Sequence, residues 1–476
     1  MQQQQQQKQL PPSKRLKTDP AESKQSMLAG ALHGGGGAYS FGSLIAEYLP
    51  TSGKPSQNPL YAVSKSTRQH SLKSETSLNL QSNSQWNVIV HMCIPLLPLN
   101  SLLTLNLSNN QIGKKECGFL AENFLQHLPH LQELNLSRNR IEDEGCIALA
   151  SCRTSLTELR VLNISSNSIT VEGCAALAAL LPELHQLEKL DLSNNKIGDG
   201  GCGVLASCRT SLTKLRVLSI SSNSITVEGC AALAALLLEL HQLEKLDLSN
   251  NEIGDGGCWA LVTGNALGSL RQLQELHLGF ANIGVEGCVA LATALPELHN
   301  LKVISIKNNN FIGDEGCRIL FAEPVISSLT QLEELELRTI GMRVDGCHAL
   351  ANVLHHLPNL NVLDLTANLI GDVGNIELAR NLPHLKELRK LVLTETNMTD
   401  EGCRVLFEVL PHLKELRLLN LSYNDLTRAC CDVLTTVLPR LEKLRAFNIR
   451  GNKIVNCPEL DTLVRNNMKK RKNFLR

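Results

Sequence analysis

The 476-residue sequence predicts an α/β solenoid of about thirteen strand–helix units. The main observation is a recurring pattern, Leu-x-x-Leu-x-Leu-x-x-Asn-x-Ile, which begins at Leu102 and has a period of 28 to 31 residues. The second observation is that aromatic residues make up only 3% of the chain. Several compact domains would use large aromatic side chains to fill their cores, so a thin, regular architecture is expected instead.

Each unit is predicted to contain one strand and one helix. The segment Leu190-Asp191-Leu192-Ser193 alternates with the period of two that is typical of a strand, and GCAALAALLPEL (residues 173–184) has helical spacing. Repeated strand–helix units place parallel strands about 4.8 Å apart, whereas packed helices need about 8–10 Å. We therefore expect a horseshoe with the strands on its concave face and the helices outside.

One position of the unit is expected to connect neighbouring units. It is Asn in ten of the thirteen units, and an Asn amide has donors and acceptors for the backbone of adjacent units. This Asn position is occupied by Asn110, Asn139, Asn167, Asn195, Asn223, Asn251, Ala281, Asn309, Ile340, Asn368, Thr396, Asn424 and Asn452.

Residues 146–201 and 202–257 are near-copies of each other. Each spans two units, so the duplicated element was a pair of repeats. The resulting superperiod of 56 residues predicts that two slightly different types of unit alternate along the chain.

The termini differ in composition from the repeats. Residues 1–85 contain a Gln run, a Gly run, many Ser residues and few large apolar residues, so they are predicted to be a disordered tail. Residues 86–456 are expected to form the solenoid with its N-terminal cap. Residues 457–476 are expected to form a capping helix and a basic tail.

Eleven cysteines recur at one place in the unit, mostly after a Gly at the start of the helix. Equivalent residues of adjacent units should lie about 8–10 Å apart, which is too far for a disulfide, and zinc sites favour closer Cys or His spacings. We therefore expect reduced thiols that pack as small apolar side chains, and no metal. The positions are Cys117, Cys146, Cys174, Cys202, Cys230, Cys258, Cys288, Cys317, Cys347, Cys403 and Cys431.

Charge and motifs exclude several classes of function. Residues 101–468 contain 42 acidic and 32 basic side chains, which disfavours nucleic-acid binding along the repeats. The sequence contains neither an apolar run of about 18 residues nor a secretory-type start, so a cytoplasmic protein is expected. A Gly-rich phosphate loop, a Gly-x-Ser-x-Gly motif and a metalloprotease motif are also absent, which predicts a protein that is not an enzyme and has no cofactor.

A candidate partner-binding patch lies between residues 259 and 343. Two unit spacings there lengthen to 30 and 31 residues, the Asn is lost twice, and Trp259 lies nearby. Aromatic and Arg side chains surrounded by charge are typical of protein interfaces. The candidate residues are Glu275, His277, Phe280, Lys307, Glu334, Glu336 and Arg338.

A second interpretation of this region stays open, because lost Asn residues and extra loop residues also arise when a repeat drifts in sequence, and Trp259 could belong to the core. Tyr423, with Arg450, is a weaker second candidate near the C-terminal end.

A short basic cluster in the N-terminal tail resembles a monopartite nuclear import signal. Lys14, Arg15 and Lys17 lie in the Pro-flanked segment PPSKRLKTDP. Such a signal would bind an import receptor and add nuclear to cytoplasmic localisation. Clusters of this length also occur by chance in basic tails, so both interpretations remain open.

The segments LSNNKIGDGGCGVLA and ISSNSITVEGCAALAALLPELHQLEKLDLSNN resemble the leucine-rich repeats of the ribonuclease-inhibitor subfamily, which also occur in NOD-like receptors and in Ran GTPase-activating protein. The resemblance extends from Leu102 to about Asn456. The chain departs from NOD-like receptors because it has no Walker motif upstream, and from Ran GTPase-activating protein because it ends in KKRKNFLR rather than in an acidic tail.

The resemblance implies ATP-independent protein binding on the concave face. The function expected first is therefore that of a monomeric, non-enzymatic intracellular scaffold for a protein partner. The alternative is a regulator of an enzyme, either a ribonuclease inhibitor or a small-GTPase activator of the Ran GTPase-activating type.

Overall fold

The computed structural model of the chain describes residues 77–82, 101–455, 457–460, 462 and 473–475. All of the described residues belong to one unit of the chain, residues 74–476. No helix in these ranges combines the length and the apolar character that crossing a bilayer requires. The predicted N-terminal cap at residues 86–100 lies outside the described residues.

Fifteen strands of three residues each form one parallel sheet, in which every strand pairs with its neighbours in the sequence. The strands are β1 (Ser77–Asn79), β2 (Thr104–Asn106), β3 (Glu133–Asn135), β4 (Val161–Asn163), β5 (Lys189–Asp191), β6 (Val217–Ser219), β7 (Lys245–Asp247), β8 (Glu275–His277), β9 (Val303–Ser305), β10 (Glu334–Glu336), β11 (Val362–Asp364), β12 (Lys390–Val392), β13 (Leu418–Asn420), β14 (Ala446–Asn448) and β15 (Asn473–Leu475). Strands β2 to β14 belong to the thirteen predicted units, so the predicted α/β solenoid is confirmed.

A helix follows the strand in each of the twelve units from Asn110 to Asn424, and the unit of Asn309 has two helices. The helices are α1 (Lys114–Asn123), α2 (Glu142–Ala150), α3 (Val171–Leu177), α4 (Gly198–Ser207), α5 (Val227–Leu237), α6 (Gly254–Val262), α7 (Val285–Ala294), α8 (Gly313–Leu320), α9 (Glu323–Ile326), α10 (Val344–Val353), α11 (Gly371–Asn381), α12 (Asp400–Val409) and α13 (Cys431–Val437).

Successive strand residues point alternately into the core and toward the solvent-exposed face of the sheet, as the period of two predicts. In β5, Leu190 is fully buried, whereas Lys189 and Asp191 on either side of it are only partly buried. The face of the sheet that points away from the helices is called the strand side below. Its residues are those that the packing of the core does not determine.

The Asn position connects neighbouring units as predicted. Oδ1 of Asn195 accepts hydrogen bonds from the backbone N–H groups of Asn167 and Ile169 in the preceding unit, both at 3.0 Å. Its Nδ2 donates to the carbonyl oxygens of Leu192 at 2.8 Å and Ile164 at 3.2 Å. Because the side chain of Asn195 is buried, these bonds satisfy backbone groups that water cannot reach.

Two types of unit alternate, and they differ in where the backbone turns after the Asn position. In A units a residue with positive φ follows directly, such as Ser168 after Asn167 (φ 58°). In B units it follows three residues later, such as Gly198 after Asn195 (φ 55°). The A units are those of Asn110, Asn167, Asn223, Ala281, Ile340 and Thr396, and the B units are those of Asn139, Asn195, Asn251, Asn309, which has one extra residue, and Asn368.

An Asp in the first helical turn of each B unit caps the helix of the next A unit. Oδ1 of Asp143 accepts from the N–H groups of Thr170 (2.8 Å) and Gly173 (3.0 Å), and Oδ2 accepts from the Thr170 hydroxyl (2.8 Å). Backbone N–H groups at the start of a helix have no partner inside the helix, so this Asp supplies one from the neighbouring unit. The capping residues are Asp143, Asp199, Asp255, Asp314 and Asp372.

The alternation changes near the C-terminus. The units of Thr396 and Asn424 both start their helical segment after a Thr N-cap, and Asp400 accepts from the N–H of Thr427 at 2.8 Å. The equivalent residue of the other A units is Lys114, Val171, Val227, Val285 or Val344. Each described unit that is followed by an A-type helix start therefore contains the Asp that caps this start.

The recurring Gly-Cys pair packs helices of neighbouring units together. A Cβ atom on Gly145 would lie 2.2 Å from Cγ2 of Ile141 and 3.3 Å from Cβ of Cys117 in the preceding unit. The Sγ atom of Cys117 in turn lies 3.5 Å from the carbonyl oxygen of Gly145. The cysteines in the described part are free and buried, so their predicted role as small packing residues is confirmed, and the contact joins two helices.

The helices of the two near-copies differ in length. Helix α3 ends at Leu177 and is followed by a separate 3₁₀ turn, Leu181–Glu183, that contains Pro182. The second copy has Leu238 at the equivalent position, and helix α5 continues to Leu237. Proline has no N–H group and disfavours helical backbone in the residue before it, so Pro182 prevents the helix from reaching the equivalent of Leu237. Helices α7 and α12 also have a proline at this position and end three residues later than α3 does, so the proline does not account for the whole difference.

Two strands lie where the sequence analysis expected none. Strand β1 lies within residues 1–85, which were predicted to be disordered; Leu78 and Leu80 continue the strand pattern, and Nδ2 of Asn110 donates to the Leu80 carbonyl at 2.9 Å. The rest of that tail lies outside the described residues. Strand β15 pairs with β14 inside the predicted basic tail, and of the predicted capping helix only residues 459, 460 and 462 are described, all of them helical.

Candidate functional site

The residue directly before the Asn position has positive φ in every unit from Asn110 to Asn452. These residues lie where the chain leaves the strand, and the row that they form is called the loop edge. Phe280 (φ 55°) and Tyr423 (φ 55°) are both loop-edge residues, so the two aromatic candidates occupy equivalent positions in different units. Most other loop-edge residues are Asn or Ser.

Neither Phe280 nor Tyr423 has its side chain in the core. Phe280 is 50% exposed and Tyr423 is 56% exposed. A left-handed backbone is unfavourable for a bulky residue and costs about 1–3 kcal/mol. The ring of Tyr423 does contact the next unit, since a Cβ atom on Gly451 would lie 2.6 Å from its Cδ1 atom. Phe280 therefore combines backbone strain with exposure.

Glu275 and His277 form one charged cluster on the strand side. Oε2 of Glu275 lies 2.5 Å from Nζ of Lys245 on the preceding strand and 3.1 Å from Nε2 of His277. Burial alone would raise the pKa of Glu275, but the hydrogen bonds from Lys245 and His277 outweigh it and hold the pKa below its ordinary value. The carboxylate is therefore already neutralised by its neighbours.

Lys307 and Glu336 form a second cluster. Oε2 of Glu336 accepts from Nζ of Lys307 at 2.9 Å and from the Ser305 hydroxyl at 2.8 Å. Burial opposes ionisation here too, yet the contacts with Lys307 and Ser305 lower the pKa of Glu336. The stem of Lys307 lies close to Gly279, where a Cβ atom would be 3.0 Å from its Cγ.

Glu334 and Arg338 differ from these pairs, because neither side chain has a hydrogen bond or ion pair with any residue in the described part. Arg338 is exposed. Backbone hydrogen bonds from Phe280 N to Lys307 O (2.8 Å) and from Asn308 N to Arg338 O (2.7 Å) place Phe280 and Arg338 two units apart.

The structure thus brings seven of the eight partner-binding candidates together in the three consecutive units of β8, β9 and β10. Tyr423 lies in the unit of β13, and Trp259 lies on helix α6 with 43% of its surface exposed, away from the sheet. The candidates Lys14, Arg15 and Lys17 lie outside the described residues.

The loss of Asn at positions 281 and 340 has a structural explanation. In A units the Asn Oδ1 accepts a single weak bond from the preceding unit, as in Asn223, which is 3.4 Å from Ile197 N. In B units it accepts two, as in Asn195. Ala281, Ile340 and Thr396 are all in A units, where the side chain matters less, so these losses do not by themselves mark a binding site.

Two unit spacings are longer than the others, from Asn251 to Ala281 and from Asn309 to Ile340. Their extra residues lie mainly in or after the helix of the unit. In one unit a 3₁₀ turn, Thr263–Asn265, follows α6, and in the other the short helix α9 follows α8. A single extra residue lies at the loop edge, beside Phe311, which is 73% exposed.

A cleft that the sequence analysis missed adjoins Phe280. It has a volume of about 450 Å³ and extends along the loop edge of four consecutive units. The residues that line it include Phe280, the carboxylate residue Glu252 and the polar residues Ser222, Asn250, Asn282 and Asn308. Glu252 follows its Asn position rather than lying in a strand, so the strand pattern does not single it out; its difference from Lys196 in the near-copy is the signal that could have found it.

Comparison with known proteins gives one family and one curated relative. Eight segments of the chain match the family described as Leucine Rich repeat: residues 99–115, 127–150, 155–178, 184–206, 211–234, 240–262, 270–292 and 297–320. The ribonuclease inhibitor of Sus scrofa is 34% identical over 87 residues, which is 18% of this chain and 19% of that protein. The chain thus matches about a fifth of the length of this relative.

Solved structures also resemble the chain. An internalin from Listeria monocytogenes is 21% identical, with 79% of this chain and 87% of that chain covered and a TM-score of 0.49. A leucine-rich-repeat protein from Leptospira interrogans is 21% identical, with 79% and 90% covered and a TM-score of 0.43.

Proposed function

We propose that this chain, whose repeats match the leucine-rich-repeat family, is a ribonuclease-inhibitor-like, non-enzymatic scaffold that binds a protein partner on its strand side and loop edge. Leucine-rich-repeat folds commonly mediate protein–protein interaction, because stacked repeats present a long continuous surface. The partner-binding surface that we propose consists of Phe280, Glu334 and Arg338, together with the two neutralised clusters around them.

The observation that carries this proposal is Phe280. Its ring is half exposed, its backbone is strained, and the core does not need it. Aromatic and Arg side chains are the residues on which binding energy concentrates at protein interfaces, and the unpaired Arg338 lies two units away. A partner that covers Phe280 would bury apolar surface that the isolated chain leaves in water.

The test is affinity purification from the source cells under reducing conditions, with bound proteins identified by mass spectrometry. The Phe280→Ala, Arg338→Ala double variant should lose a partner that the wild-type chain retains. Trp259→Ala serves as the matched control, because it removes an exposed aromatic ring on helix α6, away from the proposed surface. Identical partners for wild type and double variant would contradict the proposal.

Ribonuclease inhibition is the second candidate, and the similarity to the Sus scrofa ribonuclease inhibitor favours it. The excess of acidic side chains in residues 101–468 is compatible with a basic enzyme as partner. Titration of the reduced chain into a pancreatic-type ribonuclease assay should lower the rate of RNA cleavage in proportion to the chain added. An unchanged rate at excess chain would remove this candidate.

For localisation we propose the cytoplasm, with import into the nucleus directed by Lys14, Arg15 and Lys17. The support is the sequence of the basic cluster and its flanking prolines. A fluorescent fusion in which these three residues are replaced by Ala should show less nuclear signal than wild type. Equal nuclear signal would remove the import role.

A further inference from the structure

The loop-edge cleft beside Phe280 has the composition of a site for a positively charged side chain. Glu252 is exposed, and its carboxylate has no hydrogen bond or ion pair with any of the residues that the structure describes. Phe280, whose side chain is half exposed, lines the same cleft. A carboxylate and an aromatic ring both attract cations, the first through its charge and the second through its quadrupole.

The polar part of the cleft suits an extended polypeptide. Asn282 and Asn308 have no side-chain partner among the described residues, whereas Nδ2 of Asn250 donates to the Ser222 hydroxyl at 2.7 Å. Side-chain amides can both donate to and accept from backbone amides. The cleft crosses four units in a row, which is the form that an extended segment, rather than a compact ligand, would fill.

The near-copy supplies an internal comparison. Residues 146–201 and 202–257 differ at six positions, and one of them puts Lys196 where the cleft has Glu252. The loop-edge residue that corresponds to Phe280 two units earlier is Ser222, which has nearly the same φ, 54° against 55°. The chain therefore presents a similar Ser and Asn framework twice, and only one of the two carries the carboxylate and the ring.

We propose that this cleft binds an Arg or Lys side chain within an extended segment of a protein partner. Glu252 supplies the opposite charge, Phe280 packs against the stem and the cationic head, and the Asn and Ser side chains pair with the backbone of the segment. This inference rests on the proposed function and specifies the chemistry that the partner must present there.

The test uses the full chain and a displayed library of random 12-residue peptides. Selection on wild type should enrich peptides with Arg or Lys at one fixed position. The matched control is the Glu252→Lys, Phe280→Ser double variant. It introduces the residues that occupy the equivalent positions two units earlier, Lys196 and Ser222, where the backbone conformation is similar, so it is expected to fold.

A synthetic copy of an enriched peptide should bind the double variant at least tenfold more weakly than wild type. Replacement of its Arg by citrulline, or of its Lys by acetyl-lysine, should weaken binding to wild type to a similar extent. Circular dichroism and the urea midpoint of each variant establish that it is folded.

Failure to enrich basic peptides, or equal binding of a basic peptide to both proteins, would overturn the inference. Enrichment of uncharged peptides would also overturn it. These outcomes are distinct from failure of the proposed function, because the cellular partner is tested by affinity purification and the inference by peptide titration. Arg338→Ala alone leaves the cleft intact, so it should not change peptide binding, whereas Glu252→Lys alone should weaken it. If the affinity purification contradicts the cellular partner, the peptide titration still tests the cleft.

Discussion

Asp199 and Thr226 belong to different repeats and are joined by two hydrogen bonds, from Thr226 N to Oδ1 at 2.7 Å and from Thr226 Oγ1 to Oδ2 at 2.8 Å. Oδ1 also accepts from Gly229 N at 2.9 Å. The start of helix α5 is thus capped by a residue of the preceding unit.

Replacement of Asp199 by Ala should lower the free energy of unfolding by about 1–2 kcal/mol, because it leaves backbone N–H groups at a helix start without acceptors. Urea unfolding followed by circular dichroism measures this change. Glu228→Ala is the control, since Glu228 lies exposed in the same first turn and caps nothing across the boundary; its effect should stay within about 0.5 kcal/mol. Equal effects would contradict the capping role.

The two types of Asn should differ in their contribution to stability. Asn195→Ala deprives two buried N–H groups of their acceptor, whereas Asn223→Ala deprives one that is already 3.4 Å away. Since each unsatisfied buried group costs about 1–3 kcal/mol, Asn195→Ala should be more destabilising by at least about 1 kcal/mol. Comparison of the two urea midpoints decides, and a larger loss for Asn223→Ala would refute the assignment.

Phe280→Asn should stabilise the chain while it weakens partner binding. Asn adopts the left-handed conformation more readily than Phe, and the half-exposed ring contributes little burial, so a gain of about 1 kcal/mol is expected. Thermal unfolding of wild type and variant measures the gain. A lower melting temperature for the variant would show that the ring supports the fold.

The buried thiols should make the protein sensitive to alkali. Burial raises the pKa of Cys117, Cys174, Cys230, Cys288 and Cys347 from 9.0 to about 12. In the unfolded chain these thiols ionise near pH 9, so above that pH the folded state binds more protons than the unfolded state. The free energy of unfolding therefore falls as the pH rises from about 9 to about 12, by up to about 1.4 kcal/mol per pH unit for each thiol.

The urea midpoint at pH 8 and at pH 10.5 tests this expectation. The wild-type midpoint should fall between the two, and Cys230→Ala should fall less because one titrating thiol is gone. A wild-type midpoint that is the same at both values of pH would be incompatible with the raised pKa values.

Leu238→Pro should end helix α5 at about Leu236, because helices α7 and α12 carry a proline at the equivalent position and end at the residue that corresponds to Leu236. The N–H of Leu238 donates to the carbonyl of Ala234 at 3.3 Å, and proline removes this donor. Amide hydrogen exchange should become faster in residues 234–240 and remain unchanged in helix α6. Unchanged protection in residues 234–240 would mean that another difference between the near-copies sets the helix length.

The sequence predicted the features that repeat and missed those that link one repeat to the next. The Leu alternation and the Asn position recur in nearly every unit, so the strands, the parallel sheet and the role of Asn195 could be inferred. The cap from Asp199 to Thr226 joins residues 27 positions apart, and it becomes visible only when two unit types are distinguished.

The candidate patch shows the same limit. Its residues were found because they depart from the repeat, but the sequence did not reveal that Glu275 is paired with Lys245 and Glu336 with Lys307. Such pairs depend on which side chains of adjacent strands meet. Glu252 lies after its Asn rather than in a strand, and only its difference from Lys196 could have drawn attention to it.

The helix caps supplied by Asp143 to Asp400 restrict how the number of repeats in the chain can change. Removal of a single B unit would join two A units, and the helix start of the second would have no Asp to cap it. Removal of an adjacent A and B unit together restores every junction, as the duplication of 56 residues already illustrates in the opposite direction. Among the described units, an A-type start follows an A unit at Thr427, where Asp400 replaces the Val that most other A units have. The chain can therefore gain or lose repeats in pairs without further mutation, whereas any change that places two A units side by side requires a new carboxylate at the junction.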